Sequence, residues 1–286
     1  MSKLELSFEF FPPKTAETEE KTWEAIERLA LLNPLFVSVT YGAGGGIASR
    51  NQTHQIAKDI ITKNKLKTAA HLTCVGSTRD EINELAKRHW DGGIRHIVAL
   101  RGDPPKGTPK YIPHKDGYAY ATDLMRGLRI IGDFEISVAA FPEKHPESAS
   151  FEQDIEILKA KEDIGAARAI TQYFFDDEFY LRLRDRAYKA NIRMPIVPGI
   201  IPINHFAHIK KFSAMCGTSI PATVAETFEK LDEEGRQHER DMAAIELATA
   251  QCKGLLKEGI NKFHFYTMNR PDLITAICCN IGLTIK

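Results

Sequence analysis

A carboxylate stands inside an apolar stretch near the N-terminus, where "LSFEFFPP" (6–13) sets Glu9 among phenylalanines and prolines. Burying an unpaired charge is costly, and glutamate is seldom fully buried without a partner. In a β-strand alternate side chains point to opposite faces, so Ser7 and Glu9 share one face and the phenylalanines share the other. The phenylalanine face is expected to pack against helices. Glu9 then points into whatever the sheet encloses, either as a proton-transfer group or as half of a structural ion pair with an arginine.

Other polar residues gather at the ends of the predicted strands. They are Thr40, Arg101, Gly102, Asp103, the "PEKHPE" segment (142–147), Gln172, and the residues from Tyr266 to Arg270. In parallel α/β folds the carboxyl ends of the strands meet at one edge, where ligands bind. One such residue would mean little, but a polar group at nearly every strand end indicates a site. His71 and His145, taken singly, are more typical of hydrogen-bonded structural histidines.

Two loops of unusual composition follow predicted strands. The run "GAGGG" (42–46) could cradle a phosphate, but the dinucleotide motif G-x-G-x-x-G fails because position 47 is Ile47. A plain turn is the better interpretation. The loop "RGDPPKGTPKYIPHKDGY" (101–118) has four prolines and three glycines. Ordered loops of this length are uncommon and often cover a ligand.

Short β-rich runs alternate with longer helical stretches along the chain. The predicted strands are 4–11, 35–40, 68–74, 96–100, 135–141, 168–175, 194–200 and 262–267. Amphipathic segments predicted as helices include 17–32, 78–90, 151–164 and 176–190. Thr78 with Glu81 and Ser150 with Gln153 have the spacing of capping boxes that open two helices, and the pair Gly92-Gly93 closes a helix.

Eight strands, each followed by a helix, are the pattern of a (β/α)8 TIM barrel. The alternative is an open doubly wound sheet, but no linker or shift in composition marks two halves. We therefore predict a single domain over residues 1–286. The segment between the seventh and eighth strands is long enough for one additional helix. Its charged run 229–241 is predicted to be a solvated helical surface and loop.

The composition excludes several classes of protein. Hydrophobic residues make up 43% and charged residues 27% of the 286 residues, as in ordinary soluble proteins. Lys+Arg and Asp+Glu both total 38, so the chain has no net charge that would favour binding to nucleic acid or to an anionic membrane. No apolar stretch approaches a membrane span, and the N-terminus lacks the apolar region of a signal peptide. These features predict a cytoplasmic protein.

The five cysteines do not form a disulfide or metal framework. An odd number without framework spacing favours reduced thiols. His71 and Cys74 form an H-x-x-C pair, but within a strand those side chains face opposite ways. Cys278 and Cys279 sit in a predicted helix and also diverge. We predict buried, reduced thiols and no metal site.

Eight blocks in order along the chain carry a family resemblance. They are "LSFEFFPPK", "FVSVTYGAGG", "HLTC", "GIRHIVALRGD", "SVAAFPEKHPE", "AITQYFFD", "VPGIIPI" and "FHFYTMNR". Together they resemble the methylenetetrahydrofolate reductases of the short bacterial type. The matches run over almost the whole chain and leave no room for the C-terminal regulatory domain of eukaryotic members. The resemblance implies an FAD-binding barrel that reduces 5,10-methylenetetrahydrofolate to 5-methyltetrahydrofolate with NADH or NADPH as donor.

The resemblance also implies roles for individual residues. Glu9 matches the general acid, and Asp103 matches the aspartate beside the flavin that also meets the folate pterin. The matches to FAD contacts are Thr40, His71, Arg101, Gly102, Tyr120, Ala121, His145, Asp154 and Lys161. The matches on the folate side are Gln172, Phe212, Tyr266 and Arg270. Departures are Asn51 and Gln52 after the glycine run, and Ile157 and Ala160, where relatives place polar or basic residues. These departures bear on FAD affinity rather than on the type of reaction.

The implied chemistry makes specific demands on these residues. Opening the bridged ring of the folate requires an acid that protonates its leaving nitrogen, and desolvation among phenylalanines is expected to raise the pKa of Glu9 for this purpose. An anion at Asp103 is expected to lower the flavin potential and to stabilise a cationic iminium. Arg101 and Lys161 suit the FAD pyrophosphate.

Two rival functions stay open at this stage. One is a barrel methyltransferase with zinc-bound thiolates, which the scattered cysteines disfavour. The other is a folate-binding barrel without redox activity. The sequence does not choose between NADH and NADPH, and it leaves the oligomeric state open, a homo-oligomer included.

Overall fold

Parallel β-strands form one sheet in the computed structural model, which describes residues 3–41, 47–104, 107, 111–232 and 235–284. The strands in this part of the chain are β1 (Glu5–Phe10), β2 (Phe36–Val39), β3 (Thr68–Thr73), β4 (His96–Leu100), β5 (Glu135–Ala140), β6 (Arg168–Thr171), β7 (Ile196–Val197), β8 (Gly199–Ile200) and β9 (Lys262–Tyr266). Every pairing is parallel, and the order is β7-β6-β5-β4-β3-β2-β1-β9-β8.

The seventh predicted strand closes the ring. It is split at Pro198, which has no backbone N–H to donate. Its first half, β7, pairs with β6, and its second half, β8, pairs with β9. The carbonyl of Pro198 itself accepts from the backbone N–H of His264 at 3.0 Å. One continuous segment thus joins both sides of the sheet, which confirms the predicted (β/α)8 barrel and excludes the open sheet.

Helices follow the strands and cover the outside of the barrel. They are α1 (Ala16–Ala30), α2 (Ile47–Asp59), α3 (Arg79–Asp91), α4 (Ala121–Ile131), α5 (Phe151–Asp163), α6 (Asp177–Lys189), α7 (Phe206–Cys216), α8 (Ala222–Leu231), α9 (Gln237–Lys257) and α10 (Pro271–Asn280). A π-helical turn, Ile60–Asn64, extends α2. None of the helices in the described ranges is both long and apolar enough to cross a membrane.

The segment before the last strand holds more helix than predicted. We expected one additional helix there, whereas α7 and α8 both precede α9. The predicted surface run 229–241 covers the end of α8 and the start of α9, with residues 233 and 234 outside the described part. The prediction of additional helix is confirmed, but the predicted number of additional helices was too low.

The predicted helix caps are largely confirmed. Thr78 and Glu81 form a reciprocal capping box at the start of α3. The Ser150 hydroxyl accepts from the backbone N–H of Gln153 at 3.3 Å, but the Gln153 side chain accepts from the residue before Ser150. Gly93, at φ 86°, lies directly after the end of α3. This conformation favours glycine because it has no Cβ.

Successive side chains along each strand point to opposite faces, and this divides the core into two layers. Phe8 and Phe10 on β1 are fully buried in the main hydrophobic cluster with residues of the covering helices. Phe36 and Val98 belong to a smaller cluster that fills the inside of the barrel. Glu9 has the opposite orientation from the phenylalanines, as predicted, and therefore lies among the inward-facing side chains.

Candidate active site

Glu9 lies between two histidines. Its residue is 8% exposed, and its Oε2 lies 3.2 Å from Nε2 of His71 on β3 and 3.5 Å from Nε2 of His264 on β9. Neither Nε2 atom has a partner of good hydrogen-bond geometry among the described residues, but both lie within ion-pair distance of the carboxylate. The alternative of an arginine partner was wrong, because two imidazoles occupy that place.

The pKa predicted for Glu9 was also wrong in direction. Burial alone would raise the pKa of this carboxyl group, but the charges and contacts of His71 and His264 together lower it to about 2. The expectation considered the phenylalanines beside Glu9 in sequence, which lie on the other face of the strand. Inside the barrel the two neighbouring imidazoles favour the anionic form of the carboxylate.

His264 connects Glu9 to a second polar group. Its Nδ1 lies 2.8 Å from the hydroxyl of Ser7, and its ring stacks on Phe36 with centroids 6.0 Å apart. The side chain is fully buried. Sequence reasoning missed this residue, although alternation within "KFHFYT" places it on the same face as Tyr266.

Tyr266 lies next to Glu9 across the pairing of β1 and β9. Its hydroxyl donates to the backbone carbonyl of Thr171 at 2.7 Å. Gly199 makes room for this arrangement, since a Cβ there would lie 2.3 Å from the Thr171 carbonyl oxygen and 2.6 Å from the Tyr266 ring. Tyr266 therefore extends across the inside of the barrel toward the end of β6.

The segment after β4 carries a fixed guanidinium group. Arg101 forms a bidentate ion pair with Glu147 and lies 4.4 Å above the ring of Tyr111. Gly102 has φ 88°, and a Cβ there would lie 2.5 Å from Val75. The chain can pass this point only with glycine. Sequence reasoning named Arg101 and missed Glu147, although it lies in the "PEKHPE" segment.

Asp103 is the residue after Gly102, and it is exposed. Burial, with a smaller contribution from the charge of Asp103, raises the pKa of the Cys216 thiol to about 11. Asp103 thus lies near the end of α7. Residues 105, 106 and 108–110 of the predicted covering loop, and the glycine run 42–46, lie outside the described residues.

A second group of predicted residues surrounds the start of α5. Asp154 accepts from the backbone N–H of His145 at 2.8 Å and from the hydroxyl of Ser148. Lys161 is buried, and its ammonium group donates to the carbonyl of Ala139 at 2.7 Å. Burial lowers the pKa of Lys161 to about 8. A buried cation with one carbonyl partner is suited to receive an anion.

The remaining predicted residues are more dispersed. Tyr120 is the exposed N-cap residue of α4, and Ala121 is its first residue. Gln172 is half-buried directly after β6, and Phe212 on α7 is half-exposed. Arg270 has its own partners. Its guanidinium donates to Asp241 at 2.8 Å and to Asp272 at 2.7 Å, at the rim after β9.

Several buried polar atoms at the barrel mouth have no partner among the described residues. They are Ser38 Oγ, Thr40 Oγ1 and Thr73 Oγ1. Buried polar groups are ordinarily hydrogen-bonded, so this grouping indicates a polar ligand. With the cations Arg101 and Lys161 nearby in the fold, these residues fit the FAD that the sequence resemblance implies.

The fold and the site together define a class of protein: a (β/α)8 barrel with a ligand-binding site at the carboxyl ends of its strands. The family model described as "Methylenetetrahydrofolate reductase" matches residues 1–282. The chain is 47% identical over 281 residues to the 5,10-methylenetetrahydrofolate reductase of Escherichia coli (strain K12), covering 98% of this chain and 92% of that protein. The chain belongs to the methylenetetrahydrofolate reductase family.

Two more distant proteins are also similar. The "Methylenetetrahydrofolate reductase (NADH) 1" of Zea mays is 35% identical over 97% of this chain and 48% of its own length. A solved structure from Clostridium thermocellum, described as binding two copies of 5-methyl-5,6,7,8-tetrahydrofolic acid, has a TM-score of 0.62 at 15% identity, covering 97% of this chain and 96% of that one. This last likeness supports the fold alone.

Proposed function

We propose that this protein reduces 5,10-methylenetetrahydrofolate to 5-methyltetrahydrofolate with electrons from NADH or NADPH, using bound FAD. The observation that carries the proposal is the buried Glu9 carboxylate between two imidazoles, beside partnerless polar atoms at the barrel mouth. The names of the bacterial and maize relatives support the same reaction, and the maize name supports NADH as donor.

The residues that would hold FAD come from several strand ends. Arg101 and Lys161 would pair with its pyrophosphate, and Thr40, His71 and His145 would meet its polar edges. When bound, FAD supplies the capacity to take a hydride from nicotinamide and give it to the one-carbon unit of the folate. The barrel supplies orientation, because its side chains are held by strand backbone rather than by a mobile surface.

Glu9 and its histidines would supply the proton for ring opening. Glu9 lies at the mouth, where it would donate to the leaving nitrogen of the folate. In the free protein the two imidazoles outweigh burial and lower the pKa of Glu9 to about 2, which favours its anion. Glu9 would therefore gain a proton from solvent when the folate binds, before it gives that proton to the leaving nitrogen. The Ser7 hydroxyl, 2.8 Å from Nδ1 of His264, would hold that imidazole beside Glu9.

Asp103 would act through its charge. Its exposed carboxylate lies at the edge of the site, where an anion disfavours negative charge on a reduced flavin ring and stabilises a positive charge on the folate. Both effects favour hydride transfer to the folate. Residues 1–286 are proposed to form a single domain, and the five free cysteines support a reducing, cytoplasmic location.

The decisive experiment follows the flavin spectrum. The purified protein is loaded with FAD, reduced by NADH or NADPH without oxygen, and mixed with 5,10-methylenetetrahydrofolate. Bleaching and then recovery of the flavin absorbance would support the proposal. Failure to bind FAD, measured by fluorescence quenching, would overturn the cofactor assignment. Binding and bleaching without recovery would favour a flavoprotein with another acceptor. A metal assay of the same preparation tests the zinc-dependent rival, and folate binding without flavin would favour the non-redox barrel.

A further inference from the structure

The chain beyond Glu9 has few backbone groups with which to continue the pairing of β1. Phe10 is the last residue of the strand, and Phe11 and two prolines follow it. Pro12 and Pro13 have no backbone N–H to donate. Phe11 therefore offers the last backbone N–H before the prolines. A strand that ends in this way needs partners from another segment if the backbone beside Glu9 is to stay fixed.

The loop after β9 supplies these partners through the side chain of Asn269. The backbone N–H of Phe11 donates to Oδ1 of Asn269 at 3.0 Å, and Nδ2 of Asn269 donates to the Phe11 carbonyl at 3.0 Å. One side-chain amide thus bonds both backbone groups of one residue, as a paired residue of a neighbouring strand does. Nδ2 also donates to the hydroxyl of Thr22 on α1 at 3.0 Å. Asn269 therefore joins the end of β1 to the loop after β9 and to α1.

Thr267 bonds the backbone of Glu9 itself. Its hydroxyl donates to the Glu9 carbonyl at 2.6 Å, and its backbone N–H donates to the same oxygen at 3.3 Å. The Thr267 hydroxyl also accepts from the backbone N–H of Asn269 at 3.2 Å, and the threonine is fully buried. Thr267 and Asn269 therefore form one hydrogen-bonded unit on the backbone of residues 9 and 11, which we call the β9 clamp.

The backbone of this loop has a conformation that few residues adopt. Met268 and Asn269 have φ 52° and 53°, in the left-handed region that favours glycine. Asparagine tolerates this region better than most residues, whereas methionine is rare there. Such backbone persists where the surrounding contacts hold it in place, and it is often found at functional sites. The contacts that hold it here are those of the β9 clamp.

The clamp acts on the residue at the centre of the candidate site. Glu9 and Tyr266 form the last pair in the register of β1 with β9. The Glu9 carboxylate lies 3.2 Å from Nε2 of His71 and 3.5 Å from Nε2 of His264. These distances depend on where the backbone of β1 places the side chain. The β9 clamp therefore helps to set the position of the carboxyl group.

We propose that Asn269 is a positioning residue, which holds the end of β1 so that the Glu9 carboxyl group keeps its place at the barrel mouth and reaches the folate. The inference rests on the proposed function, and it assigns Asn269 no contact with the reacting atoms. Its effect on ring opening passes through Thr267 and the backbone of β1. Reduction of the flavin by nicotinamide does not use the proton of Glu9, so that step does not depend on Asn269.

Asn269→Gly tests this role, because glycine keeps the left-handed backbone and removes only the bonds of the side chain. The FAD-loaded protein is reduced by NADH or NADPH and then mixed with 5,10-methylenetetrahydrofolate, and stopped-flow absorbance gives both rates. Reoxidation by the folate is expected to slow by about tenfold, and reduction by nicotinamide should stay within about twofold of wild type. Asn191→Gly is the matched control. Asn191 also has a left-handed backbone, at φ 60°, but it follows α6 at the opposite end of the barrel, and both rates should be those of wild type.

A double-mutant cycle with Glu9→Gln separates positioning from a direct effect on the folate. In the Glu9→Gln background, Asn269→Gly should slow reoxidation by less than about twofold more, because the carboxyl group through which it acts is already gone. A tenfold loss in both backgrounds would overturn the proposal, and so would unchanged reoxidation in Asn269→Gly alone. Equal slowing of both half-reactions in Asn269→Gly would also overturn it, because the variant would then damage the barrel in general.

Hydrogen exchange at the end of β1 gives a readout without folate. Within residues 10–13 the only exchangeable backbone amides are those of Phe10 and Phe11, because prolines have none. Exchange in this stretch should accelerate in Asn269→Gly, since the Phe11 N–H loses its acceptor, and unchanged exchange would contradict the clamp. If the folate does not reoxidise the wild-type protein while exchange accelerates as expected, the proposed function fails and the hold of Asn269 on β1 stands.

Discussion

Nε2 of His264 lies 3.5 Å from the carboxylate of Glu9. The imidazole reaches Glu9 from β9, the strand that pairs with β1, and its other nitrogen contacts the Ser7 hydroxyl. A residue 255 positions away in the chain therefore helps His71 to lower the pKa of the carboxylate. The protonation state of Glu9 therefore depends on His264 and His71 together, because interacting groups titrate as a unit.

Replacing Glu9 with glutamine should separate the two half-reactions. The amide keeps the size of the side chain but has no transferable proton, so reduction of the flavin by nicotinamide should continue at a near-normal rate. Reoxidation by 5,10-methylenetetrahydrofolate should slow by ~10²–10⁴-fold, as is typical for loss of a general acid. Stopped-flow absorbance of the flavin measures both rates on one preparation.

Two other outcomes would count against this role. Normal recovery of the flavin in Glu9→Gln would show that the proton comes from elsewhere. Equal damage to both half-reactions, with a lowered melting temperature, would indicate that Glu9 is mainly half of a structural ion pair.

His264→Asn should slow the same folate step without removing the acid itself. Loss of one partner of a charged group is expected to cost on the order of tenfold in flavin reoxidation by folate. The dependence of this rate on pH should also change, because only His71 then remains to lower the pKa of Glu9. Reduction by nicotinamide should be nearly unaffected.

His96→Asn is the matched control for this variant. His96 is also a fully buried histidine inside the barrel, but it contacts Ser137 and Arg168 rather than Glu9. Comparable slowing of the folate step in both variants would show that the effect comes from disturbing the barrel interior. Slowing in His264→Asn alone would support the link to Glu9.

The order of elements and the direction of Glu9 were predictable because both are set by local pattern. Alternation along β1 fixes which side chains face inward, and buried phenylalanines mark the outer face. The break of the seventh strand at Pro198 was harder to predict, because the two short strands and the proline between them form one continuous apolar run in the sequence. The number of helices before β9 was underestimated because one charged run covers the end of α8 and the start of α9.

The electrostatics of the site were not predictable from the same pattern. The pKa of Glu9 depends on His71 and His264, which approach it from β3 and β9. The partner of Arg101 was likewise invisible in sequence, because Glu147 lies on a different loop. Local sequence determines which face a residue takes, whereas its ionisation depends on which distant residues share that face.

Asp103→Asn should raise the reduction potential of bound FAD. Under the proposed function Asp103 is an anion beside the flavin, and its removal makes negative charge on the reduced ring less unfavourable, which raises the potential by on the order of 30 mV if the equilibrium changes tenfold. Reduction by nicotinamide should then become easier and transfer to folate harder. Potentiometry of the loaded protein checks this, with Asp116→Asn on the same loop as control. An unchanged or lowered potential in Asp103→Asn would contradict the charge role.

Lys161 should couple FAD binding to proton uptake. In the free protein burial lowers the pKa of Lys161 to about 8, so the ammonium group loses its proton above that pH. A bound pyrophosphate favours the charged form and raises the pKa again. Near pH 7 the lysine is already protonated and little uptake is expected. At pH 9 the binding of FAD should take up close to one proton, roughly 0.9, because the free lysine is then mostly neutral.

The affinity for FAD should therefore fall as the pH rises above about 8, by up to roughly tenfold per pH unit. Calorimetry at pH 9 in two buffers of different ionisation enthalpy measures the protons taken up. Lys161→Met should bind FAD more weakly at pH 7 and show almost no uptake at pH 9. Lys159→Met removes a lysine on the same helix that already pairs with Asp163, and it should keep the wild-type uptake. Full uptake in Lys161→Met would place the titrating group elsewhere and remove Lys161 from the pyrophosphate site.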